Sequence, residues 1–134
     1  MTHTNLEETD LSGANLGGVN LSESNLTGAF LKKADLRWSV LLGVAAVGSD
    51  FSDTGLLESR LSFSNFTNAD FSGSDLRRSD LTDAIFVSTN FSQANLARVD
   101  LSNAEISGAD FNGANTHGLK LPDGFSKCLD SKNG

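Results

Sequence analysis

Few side chains in this sequence could serve as a catalytic base or nucleophile, and they are poorly placed for it. The histidines are His3 and His117, near opposite ends of the chain, and the only cysteine is Cys128. A Ser–His–Asp constellation needs an imidazole held between a hydroxyl and a carboxylate, so the abundant Ser and Asp do not by themselves make one. Cys128 falls in a C-terminal tail read as mobile, where a thiolate nucleophile would have no fixed surroundings. No Cys/His pair has zinc spacing, and no Gly-rich loop carries the lysine of a phosphate-binding loop. The segment 50–55, Asp-Phe-Ser-Asp-Thr-Gly, loosely evokes a calcium loop, and Asn20, Asn25, Asn65 and Asn90 each open an N-x-S/T triplet. Both read as by-products of a repeat. The expectation is no catalytic residue, metal site, cofactor or small-molecule substrate.

Composition narrows the class further. The chain has 134 residues, a net charge of -7, 38% hydrophobic and 20% charged residues. That length suits one domain, 1–134, and the charge content is too low for a charged disordered segment. One cysteine cannot close an intrachain disulfide. The N-terminus has neither a basic run nor an apolar core, and no stretch approaches the roughly 18 apolar residues of a membrane span. These features predict a cytoplasmic protein with no membrane partner.

A five-residue period organises the chain. Of the 24 positions met every fifth residue from Leu6 to Leu121, 22 are Leu, Phe or Ile, with Ala46 and Thr116 as exceptions. Two residues earlier the type is Ala, Ser, Thr or Val from Thr4 to Ala114, and the residue between is Asp or Asn in 16 of the 24 units. A period of five matches neither a helix at 3.6 nor a strand at 2. The chain must turn once per unit to return each large residue to one interior. Phe51, Phe71, Phe91 and Phe111 recur at 20, as do Leu16 to Leu96 and Leu21 to Leu121. Side chains that stack on their own kind recur once per coil, which predicts four units per coil, four faces and about six coils.

Units such as Ala14-Asn15-Leu16, Ala34-Asp35-Leu36, Ala69-Asp70-Phe71 and Ala94-Asn95-Leu96 resemble the pentapeptide-repeat family, whose consensus is A(D/N)LXX. The resemblance covers about residues 4–115. It implies an all-β fold, a right-handed quadrilateral parallel β-helix, with the large and small residues inward and the other three outward. Repeats are expected over about 4–121. Residues 116–134 are read as a cap and tail that leave the pattern, with Pro122 and Gly124 breaking the winding, Phe125 plugging the last coil and the final residues disordered.

Function is then expected on the outward residues. Arg37, Trp38, Leu57, Glu58, Arg77, Arg78, Ala97 and Arg98 fall on one face, with Arg60 at the adjoining corner. Trp38, Val40, Leu42, Leu57 and Phe63 are apolar at water-facing positions of that same corner. The Phe face instead carries Asp10, Asp50, Asp53, Asp70 and Asp110, relieved by Lys32 and Lys33. Two readings fit. Scattered surface apolars on an irregular coil are common; contiguous apolar surface with Trp and Arg marks an interface. The second makes Arg37, Trp38, Val40, Leu57, Arg60, Phe63, Arg77, Arg78 and Arg98 a contact surface for a protein partner or a second copy, on a non-enzymatic scaffold. Some members of the family, which is numerous in cyanobacteria, mimic a DNA duplex and bind DNA gyrase. A duplex as long as this rod, on the order of 29 Å, would carry roughly 17 charges, against -7 here. The chain also lacks inserted loops, so scaffolding is the primary expectation and gyrase mimicry the alternative, with no direct nucleic-acid binding.

Overall fold

A computed structural model describes residues 1–125. Each five-residue unit contributes one extended residue followed by a turn, and no helix occurs among the described residues. Twenty parallel bridges, from Asn5↔Asn25 to Asp100↔Lys120, all join a residue to the one 20 further on. Spread over four sides, they make five coil-to-coil steps and six coils. The chain is a right-handed quadrilateral β-helix, the hand that twisted L-residue strands impose on parallel crossovers.

Hydrogen bonds explain the regularity. On one side, Leu36 N–H donates to the Gly55 carbonyl at 2.7 Å, Gly55 N–H donates back to the Ala34 carbonyl at 3.0 Å, and Trp38 N–H donates to the Leu57 carbonyl at 3.0 Å. The turn closes within the unit, Ser39 N–H donating to the Leu36 carbonyl at 3.1 Å. The Asp/Asn preference has a local cause. The side-chain Oδ1 accepts the amide two residues on, as in Ser72 N–H to Asp70 at 2.8 Å and Ser92 N–H to Asn90 at 2.9 Å. This is the Asx turn. It leaves many Asp and Asn half-buried rather than simply outward. Asp50, in the segment that evoked a calcium loop, is used this way, accepting from Ser52 N–H at 2.9 Å and Ser52 Oγ at 2.6 Å.

The four sides are numbered by their inward large residues. Face 1 carries Leu6, Leu26, Ala46, Phe66, Phe86 and Ile106; face 2 carries Leu11, Leu31, Phe51, Phe71, Phe91 and Phe111. Face 3 runs from Leu16 to Thr116 and face 4 from Leu21 to Leu121. From Leu21 to Leu101 every large inward residue is fully buried. The phenylalanines of face 2 stack, with centroids 4.9 Å apart for Phe51–Phe71, 5.5 Å for Phe71–Phe91 and 5.3 Å for Phe91–Phe111. Face 1 adds a second ladder, Phe66 on Phe86 at 5.4 Å, whose edges meet the first, as in Phe66–Phe71 at 5.1 Å and 76°. Several inward hydroxyls return to the turn: Ser49, Thr54 and Ser74 donate to the carbonyl three residues back, each at 2.7 Å.

Residues 116–121 depart from the residue pattern but stay in the winding. Asn115 and Lys120 bridge to Asn95 and Asp100, and Leu119 N–H closes the turn on Thr116. Backbone spacing holds the coil although the unit lacks its usual residues, and the break comes at Pro122. Phe125 is half-buried against the core with Leu119 and Leu121. Cys128 and the rest of 126–134 lie outside the described residues.

Candidate functional site

The residue two places after each inward large residue forms a corner with left-handed backbone. Among the described residues, fifteen non-glycine residues have positive φ, including Trp38 at 59°, Glu58 at 53°, Phe63 at 62°, Arg78 at 58° and Arg98 at 60°. A left-handed L-residue costs roughly 1–2 kcal/mol, and glycine takes the same conformation freely at Gly18 and Gly118 in the Trp38 column. Bulky side chains are therefore held at corners where the backbone favours none.

Face 3 collects six of the nine sequence-predicted residues: Arg37, Trp38, Leu57, Arg77, Arg78 and Arg98. Val40 and Arg60 pair with each other in adjacent coils on the near edge of face 4. Phe63 does not join them. It ends the turn of face 4, at the corner leading to face 1, and is 70% exposed there. The assignment of Phe63 to the Trp38 corner fails because the turn carries the chain across a whole face between residues 60 and 63. Val40, Leu42 and Leu57 are half-buried rather than turned out to water. Trp38 is 55% exposed, and the Arg37 guanidinium carbon lies 5.2 Å from its ring centroid.

Leu57, Glu58, Arg77, Arg78, Ala97 and Arg98 line a shallow depression of about 270 Å³. Its guanidinium groups are not equally available. Arg77 forks onto Asp75, Nε–H to Oδ1 at 2.8 Å and Nη2–H to Oδ2 at 2.7 Å. Arg37 repeats this on Asp35 at 2.9 and 2.7 Å. Arg78 meets Glu58 only loosely, at 3.7 Å, and Arg98 has no acidic partner among the described residues. Sequence reasoning missed both forks, although the Asp-Leu-Arg triplets at 35–37 and 75–77 announce them: the two polar side chains of the triplet emerge on the same outer surface.

These carboxylates reduce the contrast in charge between the Arg face and the Asp-bearing Phe face. Face 3 sets Arg37, Arg77, Arg78 and Arg98 against Asp35, Glu58 and Asp75, a net +1. The other faces are each -3: Glu7, Glu8 and Glu105 on face 1; five Asp against Lys32 and Lys33 on face 2; and Glu23, Asp80, Asp83, Asp100 and Asp123 against Arg60 and Lys120 on face 4. Face 3 is distinct because it alone is positive, not because it is strongly basic. A feature unseen in the sequence is Phe30, 49% exposed between Asp10 and Asp50 on face 2.

The forks have a pH signature. The Arg37 and Arg77 side-chain hydrogen bonds hold Asp35 and Asp75 below the ordinary carboxylate value. A carboxyl depressed in the folded state contributes stability above its unfolded pKa and loses it as pH falls through the folded one. The double variant Asp35→Asn/Asp75→Asn should therefore melt slightly lower than wild type near pH 6 and lose less on acidification to about pH 3. Exposed pairs are worth little, so the readout is the difference between the two melting curves. Equal acid sensitivity of the two proteins would show that the forks contribute nothing.

His3 and His117 stand near opposite ends of the rod, about 27 Å apart along the axis, and His3 pairs with Glu23. No cluster of His, Cys, Asp or Glu with metal-binding geometry occurs among the described residues, and no helix there is long and apolar enough to cross a membrane.

Comparison with known proteins places this geometry. The family model for pentapeptide repeats matches eight copies over residues 1–43, 47–83 and 84–115. Among solved structures, the chain is similar to HetL, a pentapeptide repeat protein involved in heterocyst differentiation regulation from the cyanobacterium Nostoc sp. strain PCC 7120, with 19% identity over 92% of this chain and 87% of that one and a TM-score of 0.43. A pentapeptide repeat protein from Nostoc PCC 7120, alr5209, shares 26% identity over 95% and 81%, with a TM-score of 0.41. QnrB1, a plasmid-mediated fluoroquinolone resistance protein, shares 14% over 99% and 95%, with a TM-score of 0.32. No curated protein matches the chain.

Proposed function

The chain belongs to the pentapeptide-repeat family, and from that premise we propose that it is a non-enzymatic scaffold whose face 3 docks a protein partner. The observation that carries this reading is the make-up of that face: the only net-positive side of an acidic rod, bearing an exposed Trp beside a depression lined by Arg, Leu and Ala. Trp and Arg are the residue types most enriched where binding energy concentrates. Solenoids bind through extended surfaces of this kind rather than through clefts.

The test is capture of partners from the native host by wild type, by Arg77→Ala/Arg78→Ala/Arg98→Ala, and by Lys32→Ala/Lys33→Ala as a control on face 2. The face 3 variant is expected to lose partners that the face 2 variant keeps. Equal retention by both would remove face 3 from consideration. Gyrase mimicry is the alternative. The acidic faces 1, 2 and 4 favour it, but -7 over the rod falls well short of the roughly 17 charges of an equal length of duplex. A DNA supercoiling assay separates the two, because a scaffold of the first kind leaves gyrase unaffected.

A further inference from the structure

One of the two outward columns of face 3 alternates with a period of two coils. Following the inner column of the turn, Arg37, Leu57, Arg77 and Ala97 succeed one another, each one coil from the last. Like therefore recurs on like at 40 residues: Arg37 with Arg77, and Leu57 with Ala97. Coils stack at about 4.8 Å, so the chemical repeat of the surface is about 9.6 Å. Few peptide conformations share that repeat. An α-helix advances about 10.8 Å in two turns and slips by more than an ångström per repeat. A strand returns to the same side every two residues, about 6.8 Å, which fits neither one coil nor two. A polyproline II helix returns every third residue at about 3.1 Å each, or about 9.3 Å, and stays in step along the whole strip.

We propose that face 3 is a docking strip for an extended polyproline II segment of a partner protein that carries an acidic residue at every third position. The inference rests on the docking role assigned to this face. The apolar stations Leu57 and Ala97, with the Trp38 indole at the upper end, receive proline rings. The cations between them receive carboxylates. Arg78, in the coil of Arg77 and so in phase with Arg37, has only a loose acidic partner at 3.7 Å and keeps free donors; Arg98, with no acidic partner among the described residues, stands one coil on beside Ala97 and adds attraction between stations rather than a station of its own. Arg37 and Arg77 contribute differently. Their forks on Asp35 and Asp75 occupy one edge of each guanidinium and leave the remaining N–H groups fixed in direction, so little side-chain freedom is lost when a ligand arrives. A polyproline II ligand is itself preordered and has no internal hydrogen bonds. Stiffness on both sides suits a rod that cannot close around its guest.

Charge density selects a peptide over a nucleic acid. Each single strand of a nucleic acid brings a charge about every 3.4 Å, whereas the proposed segment brings one about every 9.3 Å. Face 3 is only +1 and the other three faces are -3 each, so dense anions are repelled.

Trp38 is the only tryptophan and serves as the reporter. Intact protein is titrated with a synthetic peptide of repeated Glu-Pro-Pro, with a peptide of the same composition in which all Glu precede all Pro, and with a single-stranded oligonucleotide. The in-phase peptide is expected to shift the Trp38 emission and to bind about tenfold tighter than the block peptide, a difference of about 1.4 kcal/mol. Arg78→Ala/Arg98→Ala, checked for an unchanged circular dichroism spectrum, is expected to lose at least about tenfold for the in-phase peptide. Equal binding of the two peptides, tighter binding of the oligonucleotide, or no binding of the in-phase peptide each overturns the proposal. If host partners are still lost by the triple Arg variant while Glu-Pro-Pro fails to bind, the docking face stands and the polyproline II ligand falls. If capture ignores that variant, both fall.

Discussion

Phe71→Ala is expected to cost about 3–5 kcal/mol of folding stability, a large part of the 5–15 kcal/mol typical of a domain. Phe71 is fully buried and has four aromatic neighbours. Phe51 and Phe91 stack above and below it at 4.9 and 5.5 Å, and Phe66 and Phe86 meet it edge-on at 5.1 and 6.1 Å. Removing the ring leaves a hole that close-packed neighbours in a narrow column fill poorly, and each aromatic pair adds roughly 0.5–1.5 kcal/mol beyond its area. Phe111→Ala is the comparison. Phe111 is 7% exposed and stacks on Phe91 alone, so its loss should cost distinctly less. Phe30→Ala, at an exposed corner-edge position, should cost almost nothing. Urea unfolding of the three variants checks the order. A cost at Phe71 no greater than at Phe111 would mean that the column is loosely filled.

Trp38→Gly is expected to separate stability from binding. Glycine removes the left-handed strain at φ 59°, worth roughly 1–2 kcal/mol. Its greater freedom in the unfolded chain takes back about 0.5–1 kcal/mol, and the lost contact with Arg37 takes a little more. The net expectation is a stability between unchanged and about 1 kcal/mol higher, read as an equal or raised melting temperature. Partner capture should move the other way. A Trp at a hot spot typically contributes about 2 kcal/mol or more to an interface, so affinity should fall by about thirtyfold. A variant that is less stable yet binds normally would contradict both halves, and would make Trp38 an ordinary packing residue. The trade between conformational ease and function is the usual one at a binding site.

The architecture was legible because one signal, a bulky residue at every fifth place, runs unbroken through almost every unit. Coil length was legible because Phe51 to Phe111 stack on their own kind. What escaped was anything decided by where a turn sends its side chains. Phe63 was grouped with Trp38 as a water-facing apolar residue of one corner, yet the two lie at opposite corners of face 4. Arg37 and Arg77 were counted as free cations because a one-dimensional tally does not see that the carboxylate two residues earlier emerges on the same surface. Thr116 and Leu119 depart from the usual residue types, yet backbone pairing with Leu96 to Asp100 carries the winding through them to Pro122.

The step of 20 residues per coil has a consequence for how such a surface can change over time. Inserting one pentad between Leu57 and Arg77 would leave every inward side chain buried, yet would rotate the lower half of the rod by a quarter revolution and carry Arg77, Arg78 and Arg98 out of line with Trp38. The fold tolerates length changes in fives; a partner reading face 3 tolerates them only in twenties. A lineage that keeps its partner would thus be bound to a coarser unit of growth than folding alone demands.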